Sequence, residues 1–279
     1  MALFLKKVSI FIFLLIIVNP LCSNEKKTLN FAPLPTKKTS KNIEDFSAIN
    51  SYLQEELSID IKYIYKKDYQ DILDGFKNGT IDIAYLGPLP FVKLKNEYKF
   101  VKPIITFKQE NGLSGNRCVL AKFKNDVFDK NKRIKVALTQ PLSTCGYLMV
   151  NVMLRDNFNM KLKDQAYDYK MSHTNALISV VKGEFLIAGA NEKVAKAYES
   201  LGMEIIARSE LLPGSSLVLN TKTLSKKQIE SIEKILWELP QSTYKSWQGI
   251  TSDGVEKANI HDYDGFNIDL DIPKKGNMK

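Results

Sequence analysis

The chain has 279 residues, 44% hydrophobic and 25% charged, a composition that excludes a disordered tail, a collagen-like repeat and a disulfide-dense miniprotein. Its 40 Lys and Arg against 31 Asp and Glu give a net charge of +9. The excess is scattered, as in Lys66-Lys67 and Lys130 to Arg133 with acidic residues between, whereas a nucleic-acid binder concentrates it on one face with aromatics interleaved; such a charge suits a small anionic ligand rather than a polyanion, and the length allows one or two domains.

The chain opens with Lys6-Lys7, an apolar run from Val8 to Val18, and Asn19-Pro20-Leu21-Cys22-Ser23. A basic start, a short apolar core and a helix-breaking Pro predict an export signal over residues 1–23. The run is shorter than the ~20 residues a membrane span needs, although an uncleaved anchor is the competing reading. Cys22 raises the alternative of lipidation, against which Leu21 stands, since it is not a small residue. The mature chain is then expected to start near Asn24 and to work in the periplasm.

Leu29 to Leu34 reads as a first strand closed by Pro33 and Pro35. Phe46, Ile49, Leu53 and Leu57 recur at helical spacing, Ile59 to Tyr65 is a second strand, and Tyr69, Ile72, Leu73 and Phe76 mark a helix stopped by Asn78-Gly79. Ile81 to Tyr85 is a third strand running into the Gly87-Pro88-Leu89-Pro90 turn, which Phe91 carries into a helix. Further on, Arg117 to Phe123, Ile134 to Leu138, Ala166 to Lys170 and Phe185 to Ala188 read as strands. Ser143 to Asp156, His173 to Lys182 and Glu192 to Ser200 read as helices, and Ile229, Ile232, Ile235 and Leu236 form a last apolar stripe ended by Leu239-Pro240. This order predicts an α/β protein of two lobes, each a mostly parallel sheet flanked by helices. Crossovers near 110–120 and 203–220 divide it into 24–115 (first lobe), 116–206 (second lobe) and 207–279 (return to the first lobe).

Ligands on such sheets bind at the carboxyl ends of strands, where loops meet helix N-termini. Ser143 and Thr144 offer hydroxyls where a helix begins, and the first N–H groups of that helix lack internal partners, so Thr139 to Tyr147 is a candidate anion seat. The alternative is that Ser143 is only an N-cap. Ser172-His173-Thr174-Asn175 stands at a second such junction, where His173 can donate to an anion or simply cap. Tyr85 and Phe91 around the Gly87 to Pro90 turn are candidate cleft walls, or plain core. Cys118 and Cys145 are either a disulfide, as exported pairs commonly are, or two thiols. The chain has only two His and no CxxC or HExxH, so neither a metal nor a cofactor is expected.

Gly79 to Pro88, Pro141 to Tyr147, Ser172-His173 with Gly183, and Leu212-Pro213-Gly214 together resemble the phosphonate/phosphite/phosphate-type periplasmic substrate-binding proteins of ABC importers, a branch of the type 2 periplasmic binding fold. The resemblance covers nearly the whole mature chain in order. It implies a Venus-flytrap protein that holds an oxyanion through Ser143, Thr144, the backbone of Cys145 and His173, with Tyr85, Gly87, Pro88 and Leu89 lining the cleft from the first lobe. It also implies an ABC permease as partner, or in the alternative a sensor histidine kinase; no nucleic-acid partner is expected, and the protein is expected to be a monomer. Two departures stand out. Leu186 occupies the position where aminophosphonate binders have an Asp, which disfavours a ligand with an amine. Cys145 replaces a Ser or other small residue; besides a disulfide with Cys118, this admits a thiol pair facing the ligand, as in relatives that sense arsenite for a histidine kinase. An enzyme is not expected, because no carboxylate is placed to orient His173 behind Ser143.

Overall fold

The computed structural model describes residues 27–35, 39–109, 112–264, 266 and 272–278. The expected export signal over 1–23, with Cys22, lies outside the described residues. Among the described residues no helix is long and apolar enough to cross a membrane.

The first part of the chain runs β1 (Thr28–Ala32), α1 (Thr39–Leu57), β2 (Asp60–Tyr63), α2 (Tyr69–Lys77), β3 (Ile83–Leu86), α3 (Pro88–Glu97) and β4 (Val101–Phe107). Next come β5 (Gly115–Asn116), β6 (Cys118–Phe123), β7 (Lys135–Leu138), a π-helical turn Thr144–Leu148 leading into α4 (Met149–Phe158), β8 (Ala166–Tyr169) and α5 (His173–Val181). The remainder is β9 (Ile187–Asn191), α6 (Glu192–Lys196), β10 (Met203–Arg208), β11 (Leu212–Pro213), β12 (Ser216–Asn220), α7 (Lys226–Glu238), α8 (Gln241–Ser246) and β13 (Val255–Lys257).

Two sheets result, in the orders β13-β4-β12-β3-β1-β2 and β10-β6-β9-β7-β8. Both are mixed. Pairing is parallel where strand–helix–strand units build them, at β2-β1-β3 and β9-β7-β8. It is antiparallel at the strands the crossovers supply, β4, β12, β6 and β10. The crossovers themselves pair, Leu212 with Asn116 and Pro213 with Gly115. A Cβ on Gly115 would stand 2.6 Å from the Leu212 carbonyl oxygen, so this two-stranded hinge requires glycine there.

Side chains of each strand divide between two cores, one on each face of its sheet. Leu29, Phe31, Ile83 and Tyr85 join α1 and α7, while Ala32, Ala84 and Leu86 join α2 and α3. In the second sheet Leu120, Val136 and Leu138 pack on α4, and Val119, Ala121 and Ala137 on α5.

Helix starts are fixed by short polar side chains. Asp68 accepts from the Asp71 N–H, Ser172 from Asn175, and Ser225 forms a reciprocal capping box with Gln228, the residue types that favour these positions. The Gly87 to Pro90 turn is itself the start of α3, with Pro88 as its first helical residue, where a missing N–H costs nothing.

The stretch 207–279 does not all return to the first sheet. Asn277 makes an antiparallel bridge with Tyr167 of β8, at the far edge of the second.

Candidate ligand-binding site

In the second lobe, β7 and β8 are parallel neighbours, so the loops that follow them emerge at the same sheet edge. Ser143 closes the first loop and caps the π-helical turn, its Oγ accepting from the Gly146 N–H at 3.0 Å. With one lone pair so engaged, the Ser143 oxygen keeps its hydroxyl proton free to donate elsewhere. The turn fits closely because two glycines make room. A Cβ on Gly146 would stand 1.9 Å from Thr139 Oγ1, and one on Gly189 of β9 would stand 2.0 Å from a Val150 methyl. Among the described residues, no hydrogen bond claims the N–H groups of Thr144 and Cys145, or those of His173 and Thr174 at the start of α5. Gln140 ties the two loops together, its side-chain amide donating to the Met171 carbonyl at 3.2 Å.

His173 is half-buried at the first position of α5, with Nδ1 enclosed and unpartnered. Burial pushes its pKa down to about 4, against a smaller opposing effect of the Gly189 backbone. At neutral pH it therefore offers a hydrogen bond and no charge. Thr139 Oγ1 and Gln140 Oε1 are further enclosed polar atoms without a protein partner at this edge.

The first lobe meets this edge directly. The Leu89 N–H donates to Thr144 Oγ1 at 3.0 Å, and Leu142 with Tyr147 and Leu148 packs on the core shared by α2 and α3. Pro88 and Pro90 carry no N–H, and the Phe91 N–H is claimed by the Gly87 carbonyl, so Leu89 supplies the one open donor of this helix start. Thr144 already fills it. Gly87 lies beside the contact, a Cβ there reaching 3.7 Å from Thr144 Oγ1 and 3.6 Å from Ser215 Oγ. A groove of 410 Å³ opens alongside, between Asp68, Tyr69, Asp71, Asp74 and Lys93 of the first lobe and Gln140 to Leu142 of the second.

The expected residues separate into three groups. Ser143, Thr144, Cys145 and His173 come together at one edge, and Gly87, Pro88 and Leu89 face them, Leu89 through its backbone only, since its side chain is in the core. Tyr85 is not a cleft wall: its ring is wedged between Phe46 and Phe107 at 5.1 and 5.2 Å. Only its hydroxyl reaches outward, to Ser215, and burial pushes its pKa up to about 12. Leu186 stands at the amino end of β9, its N–H bonded to the Lys135 carbonyl, a strand length away from Ser143. Its identity therefore says nothing about an amine in the cleft, contrary to the expectation from the family pattern. Gly189 and Ser215 carry no signal in the sequence, because nothing local marks a glycine or a serine as facing another loop.

Cys118 and Cys145 form a disulfide with Cα atoms 4.8 Å apart, which ties the π-helical turn to β6 and the adjoining hinge. For a loop of this length the bridge contributes about 3–4 kcal/mol in the chain-entropy picture. Both sulfurs are used, so the thiol-pair reading has no free thiol to act with. Among the described residues no cluster of His, Cys, Asp and Glu could hold a metal.

The family model for the periplasmic phosphonate substrate-binding proteins of ABC transporters matches residues 31–263, from β1 to beyond β13. The chain belongs to this family. It is 24% identical over 224 residues to the phosphonates-binding periplasmic protein of Escherichia coli K12, a match covering 75% of this chain and 65% of that one. It is also 24% identical over 127 residues to the phosphate-import protein PhnD of Mycolicibacterium smegmatis, covering 44% and 40% respectively. The matches thus span less than two thirds of these relatives. Among solved structures, PhnD1 of Prochlorococcus marinus in complex with methylphosphonate superposes with a TM-score of 0.71 at 16% identity, over 85% of this chain and 94% of that one. This likeness shows the two-lobed fold of the family. These are substrate-binding proteins of the periplasm and not enzymes.

Proposed function

We propose that the protein captures a small oxyanion of the phosphonate class between its lobes, in the periplasm, and presents it to an ABC permease. The observation that carries this reading is the convergence at one sheet edge of two helix starts with unclaimed N–H groups, at Thr144-Cys145 and His173-Thr174, next to two hydroxyls held by backbone N–H groups. Helix N-termini with open amides favour an anion. Donors fixed in advance lose little freedom on binding and match the oxygens of a tetrahedral guest. The Leu89–Thr144 contact holds the first lobe against the seat, so a ligand on the seat that also touches this cover stabilises the closed form in proportion to its preference for it.

The test is a thermal-shift panel of methylphosphonate, phosphite, phosphate and 2-aminoethylphosphonate against sulfate and acetate. A true ligand at 100 times its Kd adds about 2.7 kcal/mol of stability, and a clear rise in Tm with at least one phosphorus oxyanion is expected. No rise with any of them at millimolar concentration would reject the reading.

A further inference from the structure

The hinge is usually the part of a two-lobed protein that is covalently continuous, but here a third segment joins the lobes. Tyr263 is sunk in the first lobe, its hydroxyl donating to the Gly214 carbonyl at 3.0 Å and lying 2.6 Å from Ser216 Oγ, its ring 4.6 Å from that of Phe91. Asp264 pairs with Lys95 of α3 at 2.7 Å, and Phe266 packs on the same core. A few residues on, the chain is fastened to the other lobe. The Tyr169 hydroxyl donates to the Pro273 carbonyl at 2.6 Å. Tyr167 and Asn277 exchange both backbone hydrogen bonds at 2.7 and 2.8 Å, and the Asn277 amide reaches the Lys163 and Gln165 carbonyls at 3.4 and 3.5 Å. Gly276 lies flat on the strand: a Cβ there would stand 2.7 Å from both Asp168 Oδ1 and the Tyr167 carbonyl oxygen.

The place of this attachment matters. The hinge enters the second sheet at β6 and β10, one end of the order, whereas β8 is the opposite edge. Ile272 and Lys274 of the same segment line the interlobe groove beside Gln140 to Leu142. A rotation about the β5–β11 hinge that widens the groove moves β8 away from the first lobe by more than any other strand. We propose that residues 272–277 form a strap that crosses the groove and latches the lobes closed, so that opening requires the segment to peel from β8. Its backbone pairing also covers the free edge of β8, which an unpaired strand would otherwise expose.

The strap biases an equilibrium that ligand capture then uses. Its few hydrogen bonds, offset in part by the freedom the segment loses, are enough to shift closure about tenfold without locking it. Apparent affinity scales with the population of the binding-competent form, so releasing the strap weakens binding by the same factor.

Two variants of the full protein test this: deletion of residues 272–279, and Gly276→Val, which leaves both cores intact and only forces the segment off the strand. Without added ligand, small-angle scattering is expected to show a larger radius of gyration for both variants than for the parent, with unchanged circular dichroism. Methylphosphonate, where the parent binds it, is expected to bind both about tenfold more weakly. Superimposable scattering of parent and variants would overturn the latch, as would expansion in the deletion but not in Gly276→Val, since the effect would then not come from docking on β8. Because the scattering uses no ligand, failure of the phosphonate reading leaves this test standing.

Discussion

Two helix starts face each other across the cleft, and they are built in opposite ways. In the second lobe Ser143 spends its side chain on Gly146 and leaves the N–H groups of Thr144 and Cys145 open. In the first, Pro88 and Pro90 delete two of the first three donors of α3, and the remaining one, on Leu89, is held by Thr144. The neighbouring α2 carries a carboxylate at its start, since Asp68 caps it and Asp71 follows in the first turn, which occupies the positive end of the helix dipole. Under the proposed function the contrast gives the lobes different tasks, the second as the seat of the anion and the first as its cover.

The strongest way to break that division is to remove the seat. Ser143→Ala with Thr144→Ala deletes two hydroxyl donors to a charged guest, each worth about 1.5–3 kcal/mol. Affinity for whichever phosphorus oxyanion the panel identifies is expected to fall by about two to four orders of magnitude. Titration calorimetry checks this, with circular dichroism confirming the fold. An affinity within a few-fold of the parent would place the seat elsewhere.

The second prediction sharpens what kind of seat it is. Burial holds His173 neutral to about pH 4, whereas an unfolded His titrates near 6.5. Between these values the unfolded chain binds the extra proton, so stability rises with pH through this window. The contribution is fully present above pH 6.5 and is lost progressively as pH falls toward 4, by up to roughly 3 kcal/mol. His173→Gln, which keeps a neutral donor, is expected to show a smaller loss of Tm between pH 7 and pH 4.5 than the parent. Equal losses would mean that His173 is solvated and can carry charge to the ligand.

Much of this architecture could be read from residue order. The Phe46, Ile49 and Leu53 stripe, the Asn78-Gly79 stop and the alternation of strands with helices follow from local chemistry, and so does the Ser143-Thr144 helix start. What escaped depends on contacts between distant residues. Val101–Phe107 is a strand between two others although it contains Pro103, a residue that argues against a central strand; the sheet accommodates it with a register shift opposite, between Leu217 and Val218. The face of Tyr85 was illegible because all four residues of β3 are buried, and a strand covered on both sides shows no alternation. The spacing between His173 and Leu186 does not reveal that Leu186 immediately precedes β9, at the end of the strand away from Ser143. The Thr144–Leu89 contact joins residues 55 positions apart, and no local signal announces it.

The smallest expected effect is also the most discriminating for the two-task division. Pro88→Ala restores an N–H at the first position of α3, where it would point out of the helix start toward the second lobe with no partner of its own. Had α3 been a seat, a second open amide beside Leu89 would strengthen oxyanion binding by roughly tenfold, as one more charge-assisted hydrogen bond does. As a cover whose single donor already meets Thr144, it is expected to change affinity by less than about threefold. Stability should fall by about 0.4–1 kcal/mol through the freer unfolded chain. A Tm drop of that size with unchanged affinity supports the division, because the same substitution would otherwise cost stability and gain binding. A tenfold gain would move half of the seat into the first lobe and make Pro88 a residue that holds affinity down.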